Sequence, residues 1–280
     1  ATAAAVPVLA LAATLVGFAN AHRTPRIRTV EIERDGLPPA LNGFTIAQIS
    51  DLHVGPTIRR RFVQRVVDAV NALEPDVVAV TGDLVDGTVP ELAAEVAPLA
   101  GLAPRLGSFF VSGNHEYYAG VHPWLAEVRR LGLRVLQNEH VVLERAGATL
   151  VLAGVSDYSA GYFERSHRSD PEAALRGAPR DAALKILLAH QPRSGFAAAA
   201  AGFDLQISGH THGGQFLPWT FFVRLQQPFT AGLHRIDQLI VYVSRGTGYW
   251  GPPKRFGAPS EITRIRLVGR ARADEQAQPG

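Results

Sequence analysis

The chain predicts an α/β fold, and three observations carry that expectation. Short, almost wholly apolar runs alternate with stretches whose apolar residues recur every three or four positions. The apolar runs end in glycine, aspartate, asparagine or histidine. Turn residues are plentiful, 27 glycines and 19 prolines in 280 residues, with no low-complexity tract and no convincing repeat. Strand–helix–strand succession implies right-handed crossovers and a largely parallel sheet.

Residues 1–21 carry no charge and are rich in alanine. Two readings compete for them. About 20 apolar residues span a bilayer, and the flanking Arg23, Arg26 and Arg28 suit the cytoplasmic side of a membrane helix. Ala19-Asn20-Ala21 also fits a small-x-small cleavage site at the end of a signal segment. The basic flank favours a membrane helix, hence membrane association with the cytoplasmic face preferred over export. Residues 22–43 form a basic linker with a strand leading into the main domain, which covers 44–268.

Within that domain, 44–50 reads as a buried strand. Residues 60–73 place Phe62, Val63, Val66, Val67, Val70 and Leu73 on one helical face, closed by Pro75. A second strand runs over 76–83, and a proline-started helix over 90–102. A third strand begins at 107 and runs into a polar loop at 113–116. The helix at 122–132 is closed by Gly132. Strands then crowd together over 134–154, which suggests a second, more antiparallel part. A short helix begins at Asp170. Strands at 184–192 and 203–212 flank an alanine-rich helix, and those at 239–246 and 262–269 finish the sheet. Gly269 to Gly280 reads as a disordered polar tail.

Composition excludes several chemistries. The chain has no cysteine, so disulfides, thiolate ligands and a cysteine nucleophile are out. It also has no methionine, and so reads as a processed or truncated product. A net charge of +3 without a basic, aromatic-interleaved stripe gives no reason to expect nucleic acid. Oligomeric state is left open.

The polar residues collect at the carboxyl ends of the expected strands, the edge where open α/β sheets bind ligands. They are Asp51 and His53, Asp83 and Asp86, Asn114, His115 and Glu116, His190, and His210 with His212. Each alone has an ordinary explanation: a helix cap, an Asx turn, a satisfied core histidine. Together they need something to offset their desolvation, and divalent metal does so. An all-nitrogen-and-oxygen set suits Mn, Fe, Zn and similar ions better than calcium. Seven ligands are too many for one tetrahedral centre and about right for two metals with open positions. Alternation lets His210 and His212 face one site, and the neighbouring glycines let the backbone approach closely.

The blocks "DLH" (51–53), "GD" (82–83), "GNHE" (113–116), "AH" (189–190) and "GHTH" (209–212) resemble, in order and spacing, those of the calcineurin-like metallophosphoesterases. The later "SRGTGYWGPPKRFGAPSEI" is similar to the membrane-associated bacterial branch. The resemblance implies a four-layer α/β/β/α sandwich of the metallo-dependent phosphatase type. It also implies that Asp51, His53 and His212 bind one metal, that Asn114, His190 and His210 bind the other, and that Asp83 bridges them. The implied activity is phosphoester hydrolysis by a metal-activated hydroxide, with His115 near the leaving group as general acid. Asp86 is expected to orient His115 or a bound water, the alternative being a surface loop carboxylate; Glu116 is expected to be structural. Arg245, Lys254 and Arg255 are candidates for holding substrate phosphate.

The substrate expected is a phosphodiester or pyrophosphate at a membrane surface, envelope-borne or lipid-linked. The aromatic loop at 216–229 motivates that, although it would serve equally as packing on the domain's own core. Alternatives are a non-catalytic membrane-anchored scaffold and a nucleotide phosphodiesterase; the latter lacks a Walker or dinucleotide loop.

Overall fold

The computed structural model describes residues 2–270. Helix α1 spans Thr2–His22, and strand β1 spans Arg26–Asp35. The main domain follows as β2 (Thr45–Ile49), α2 (Arg60–Asn71), β3 (Val77–Val80), α3 (Val89–Val96), β4 (Ser108–Phe110), α4 (Asn114–Ala119), α5 (Val121–Arg130) and β5 (Arg134–Val135). Its second half contains β6 (Glu139–Arg145), β7 (Ala148–Gly154), α6 (Ala160–Phe163), α7 (Pro171–Ala174), β8 (Leu184–Leu188), α8 (Gly195–Ala201) and β9 (Leu205–Ser208). Then come α9 (Trp219–Phe222), β10 (Gly232–Ile236), β11 (Leu239–Val243) and β12 (Glu261–Arg270).

Two six-stranded sheets result, ordered β1-β12-β2-β3-β4-β5 and β10-β11-β9-β8-β7-β6. Most neighbours are parallel; β12–β2, β6–β7 and β10–β11 are antiparallel. The side-chain alternation of each strand explains the layering. Ile46, Val77 and Ala79 point into a core between the sheets, where they meet Leu150, Leu152, Ile186 and Leu188. Ala47, Ile49, Val78 and Val80 point the other way, onto the apolar faces of α2, α3 and α5. Val151, Ala153 and Leu187 form a third core with Ala174 of α7 and Ala198 of α8. Strands buried on both faces read as continuous apolar runs, which is how they are legible in the sequence. The fold is the four-layer α/β/β/α sandwich.

Four details depart from the sequence reading. The segment at 113–116 is not a loop, because Asn114 opens α4 directly after Gly113. β10 was not foreseen; it pairs with β11 through a tight turn in which Asp237 has φ 50°. The aromatic stretch at 216–229 folds into α9 and a following 3-10 turn, Val223–Leu225. The expected tail starts too early, since Gly269 and Arg270 still pair with β1; residues 271–280 lie outside the described residues.

β1 pairs with β12 along its whole length. Its charged, alternating sequence suits an edge strand with one half-buried face, Val30 and Ile32 turned inward. α1 is long and apolar enough to cross a membrane, by length and composition. It is exposed over most of its surface, but its end docks: Ala21 is buried in the outer core and Gly17 O accepts from the backbone N–H of Arg255.

Candidate metal centre

The carboxyl ends of β2, β3, β8 and β9, with the start of α4, bring all seven expected ligands to one place. Asp51, His53 and His212 can each offer an atom within 4.8 Å of the others, as can Asp83, His190 and His210. His53 Nε2 and His212 Nε2 are 3.0 Å apart, and His190 Nε2 and His210 Nδ1 3.1 Å apart. Asp83 lies between the groups, its Oδ2 3.1 Å from His190 Nε2 and 3.8 Å from His53 Nε2. Asn114 Oδ1 is buried without a hydrogen-bond partner. A buried carbonyl oxygen left unpaired is costly, and a cation would satisfy it. The donor set therefore fits divalent metal.

The backbone is bent to serve this arrangement. Asp51, His53, Asp83, His210 and His212 all have φ between 51° and 72°, the left-handed region that non-glycine residues rarely occupy. Such strain gathers where function requires it. Two glycines make room. A Cβ on Gly209 would collide with Ser50 and Asp51, and one on Gly113 with the Asp83 carboxylate. Gly113→Ala is expected to destabilise the fold by about 1–3 kcal/mol, as overpacking does, and to weaken metal retention. Thermal unfolding with and without added divalent metal measures both.

The imidazoles are set by what their other nitrogens touch. His190 Nδ1 donates to Thr81 O at 2.8 Å, leaving Nε2 to face Asp83. Asp86 Oδ1 accepts from His53 Nδ1 at 2.8 Å and from His115 Nδ1 at 2.7 Å. Asp86 is thus not a free surface carboxylate; it orients two rings at once. Burial opposes its ionisation, yet the hydrogen bonds from His115 and His53 hold it at about 2. Burial likewise opposes charge on His115, but Asp86 and Asp83 outweigh it and raise the imidazole above its ordinary value. Burial and the charge of Arg255 push His212 well below its ordinary range, and burial, then His190, brings His210 down to about 3. Both are therefore neutral, the form that binds metal.

Glu116 is fully buried and accepts the backbone N–H groups of Gly113, Asp83 and Leu84 at 2.6, 3.1 and 2.7 Å. It pins the β3 and β4 loops together. Burial and the nearby Asp83 push its carboxyl up to about 7.

Arg255 does not face substrate. It is fully buried, and its guanidinium donates to the carbonyls of His212, Arg245 and Gly248. It thereby braces the loop behind His212. Lys254 is occupied with Thr14 of α1. Arg245 stays partly exposed beside Gly213.

Two residues at the mouth of the site were missed from the sequence. Trp250 and Tyr118 stand 5.9 and 5.2 Å from the His115 ring, centroid to centroid. Gln215 holds Trp250 in place, accepting its N–H at 2.9 Å and donating to its carbonyl at 2.8 Å. The signal lay in the glutamine ending "GHTHGGQ", which has no role at the metals. A cavity of about 350 Å³ opens over Asp83, Asn114, His210 and His212, walled on its far side by Phe216 and Trp219.

Carboxylates, an amide and imidazoles thus converge at the strand ends of a four-layer α/β sandwich, a donor set suited to divalent metal. Residues 44–214 match the family model of the calcineurin-like phosphoesterases, and the chain belongs to that family. It is 42% identical over 272 residues to a zebrafish (Danio rerio) "transmembrane protein with metallophosphoesterase domain", covering 93% of this chain and 62% of that one. It is 38% identical over 262 residues to an uncharacterised metallophosphoesterase of Helicobacter pylori, covering 92% of this chain and 68% of that one. Among solved structures, Haemophilus influenzae NAD nucleotidase superposes with a TM-score of 0.52 at 17% identity, over 80% of this chain and 56% of that one. That last likeness is one of fold. The chain spans about 62% of the zebrafish relative's length.

Proposed function

We propose that the chain is a dinuclear metal-dependent phosphoester hydrolase, of the phosphodiesterase or pyrophosphatase kind, acting on a phosphate presented at a membrane surface. One observation supports this above the rest: the Asp83 carboxylate stands between two groups of neutral or metal-ready donors, beside an unpaired buried amide oxygen. Asp51, His53 and His212 would hold one ion and Asn114, His190 and His210 the other, with Asp83 shared. Divalent ions held there supply charge neutralisation of the phosphoryl oxygens and acidify water.

The chain's own residues do the rest. Asp86 fixes the His53 and His115 rings with their Nε2 atoms turned toward Asp83. His115 is the one imidazole of the cluster left free of metal, and it opens to the cleft between Tyr118 and Trp250. There its Nε2–H can donate to a departing oxygen. The aromatic wall of Phe216 and Trp219 offers an apolar surface next to the phosphate site, which suits a substrate with an acyl or prenyl chain and favours the lipid-linked reading.

The test is hydrolysis of bis(p-nitrophenyl) phosphate with and without Mn²⁺, followed by lipid pyrophosphates, glycerophosphodiesters and nucleotides. Metal-dependent turnover abolished by chelation is expected, with lipid-linked substrates preferred. A fully metal-loaded chain inert toward every one of them would favour a membrane-anchored scaffold instead.

Asp86→Asn supplies a pH test. The carboxylate raises the His115 pKa, so the acid stays protonated to higher pH and its contribution is lost as pH climbs through that value. Without the charge the pKa falls. The alkaline limb of the rate profile should move to lower pH, read on protein kept saturated with metal, because His53 loses the same partner.

A further inference from the structure

The stretch following the metal histidines exposes a set of large apolar side chains. Trp219, Phe221 and Leu225 are 58, 71 and 82% exposed, and Leu217 and Phe222 are about half exposed. A contiguous exposed apolar patch of this kind marks an interaction surface. Three further observations identify what it meets.

The first is α1. Its segment Ala5–His22 has a mean hydropathy of 1.6 and is only 11% buried. The second is that α1 and the apolar stretch attach to the same loop. Lys254 Nζ donates to Thr14 Oγ1 of α1 at 3.1 Å and lies 5.7 Å from the centre of the Phe216 ring. Asn20 of α1 donates to Arg255 O at 3.2 Å, and the Leu217 N–H donates to Phe256 O at 3.0 Å.

The third is a matter of lengths. The 21 residues of α1 rise about 31 Å, against a hydrocarbon layer of about 30 Å. Yet Thr14, eight residues or about 12 Å up the axis from His22, is already in contact with the domain. If α1 enters the bilayer, the loop bound at Thr14 is drawn to the membrane boundary with it. Trp, Phe and Leu beside an exposed Arg224 are the side chains that partition to that boundary, the rings among the acyl chains and the guanidinium at the headgroups.

We infer that Leu217–Leu225 inserts into the lipid–water interface alongside α1 and sets the metal cleft against the bilayer surface. Phe216, Trp219 and Val223 wall the same cavity as Asn114, His210 and His212, so a lipid-borne phosphate reaches the metals without leaving the interface. This deepens the membrane-surface substrate class proposed above and rests on it. Its test, however, does not require turnover.

The chain has no cysteine, so a single introduced thiol is unique. Phe221→Cys, Leu225→Cys and, as a control on α6, Tyr162→Cys carry a nitroxide in the full chain. The control side chain is 88% exposed and lies outside the apolar stretch. In proteoliposomes of phosphatidylcholine and phosphatidylglycerol, collision rates are read with oxygen, which concentrates in lipid, and with a water-soluble nickel complex. The oxygen-to-nickel ratio at positions 221 and 225 is expected to exceed the control several-fold. Equal ratios at all three positions overturn the inference. So does exclusion of both reagents from 221 and 225, which would mean that a second protein copy covers them. Labels in lipid on a chain that hydrolyses nothing would sink the hydrolase reading alone; active enzyme with its labels in water would sink the insertion alone.

Discussion

Asp83→Ala is expected to strip the protein of metal and reduce hydrolysis by at least about 100-fold, since even residues one bond further from a metal cost 10–100-fold when removed. The carboxylate touches both halves of the site. Its Oδ2 faces His190, His53 and His115, while its Oδ1 accepts the backbone N–H of His115 at 2.9 Å. Burial works against its charge, but His190, His53 and His115 hold it ionised well below the ordinary carboxylate range. Alanine removes the negative group that His190, His53 and His115 all face. Divalent cations would then face mostly neutral nitrogen on the His190 side, where Asn114 is also neutral. Elemental analysis of purified protein, with activity on bis(p-nitrophenyl) phosphate, reads the result. Two metal equivalents retained per chain would remove Asp83 from the shared position. Asp83→Asn separates geometry from charge: it keeps an oxygen at the site and should retain more metal than alanine, though less than wild type.

The sandwich was legible because its strands are buried on both faces and its helices are not. "VVAV" (77–80) is apolar at every position and "LKILL" (184–188) at all but Lys185, whereas α2 buries Phe62, Val63, Val66, Val67 and Val70 and exposes Arg61, Gln64 and Arg65. The candidate ligands were legible because a cation asks for residue types, and those types stand at the strand ends where the topology converges. β10 was not legible. It is a partly exposed edge strand, "GLHRI", with neither a clear alternation nor an Asn-Gly turn to announce it. Long-range bracing was not legible either. Arg255 reads in the sequence as a surface base, and only the fold shows four carbonyls, those of His212, Arg245, Gly248 and Ala258, closing around it. Asp86 was ambiguous for the same reason: its spacing from Asp83 says nothing of the two imidazoles, 33 and 29 residues away along the chain, that its carboxylate receives.

His115→Ala tests the other end of the chemistry. His115 sits on α4 next to Asn114, yet its Nε2 lies 3.9 Å from Asp83 Oδ2, farther than that of His190, and its Nδ1 is taken by Asp86. Its ring lies 4.6 Å from that of His53, centroid to centroid, with Tyr118 at 5.2 Å and Trp250 at 5.9 Å on the side of the cleft mouth. His53 shares its distances to Asp83 and Asp86, so what sets His115 apart is its place at the cleft mouth, 15% exposed where His53 is 1%, from which a leaving oxygen can be reached. The variant should therefore keep its metals and lose turnover by about 10²–10⁴-fold on alkyl diesters, the range for a positioned proton donor. On bis(p-nitrophenyl) phosphate the loss should be small, because p-nitrophenolate leaves without a proton. That contrast separates an acid from a structural residue, whose removal would slow both substrates alike. Equal losses on the two substrates, or an unchanged rate on the alkyl diester, would exclude the role. Asp86→Asn should reproduce the contrast in milder form, since it leaves the imidazole present but no longer held or charged by its partner.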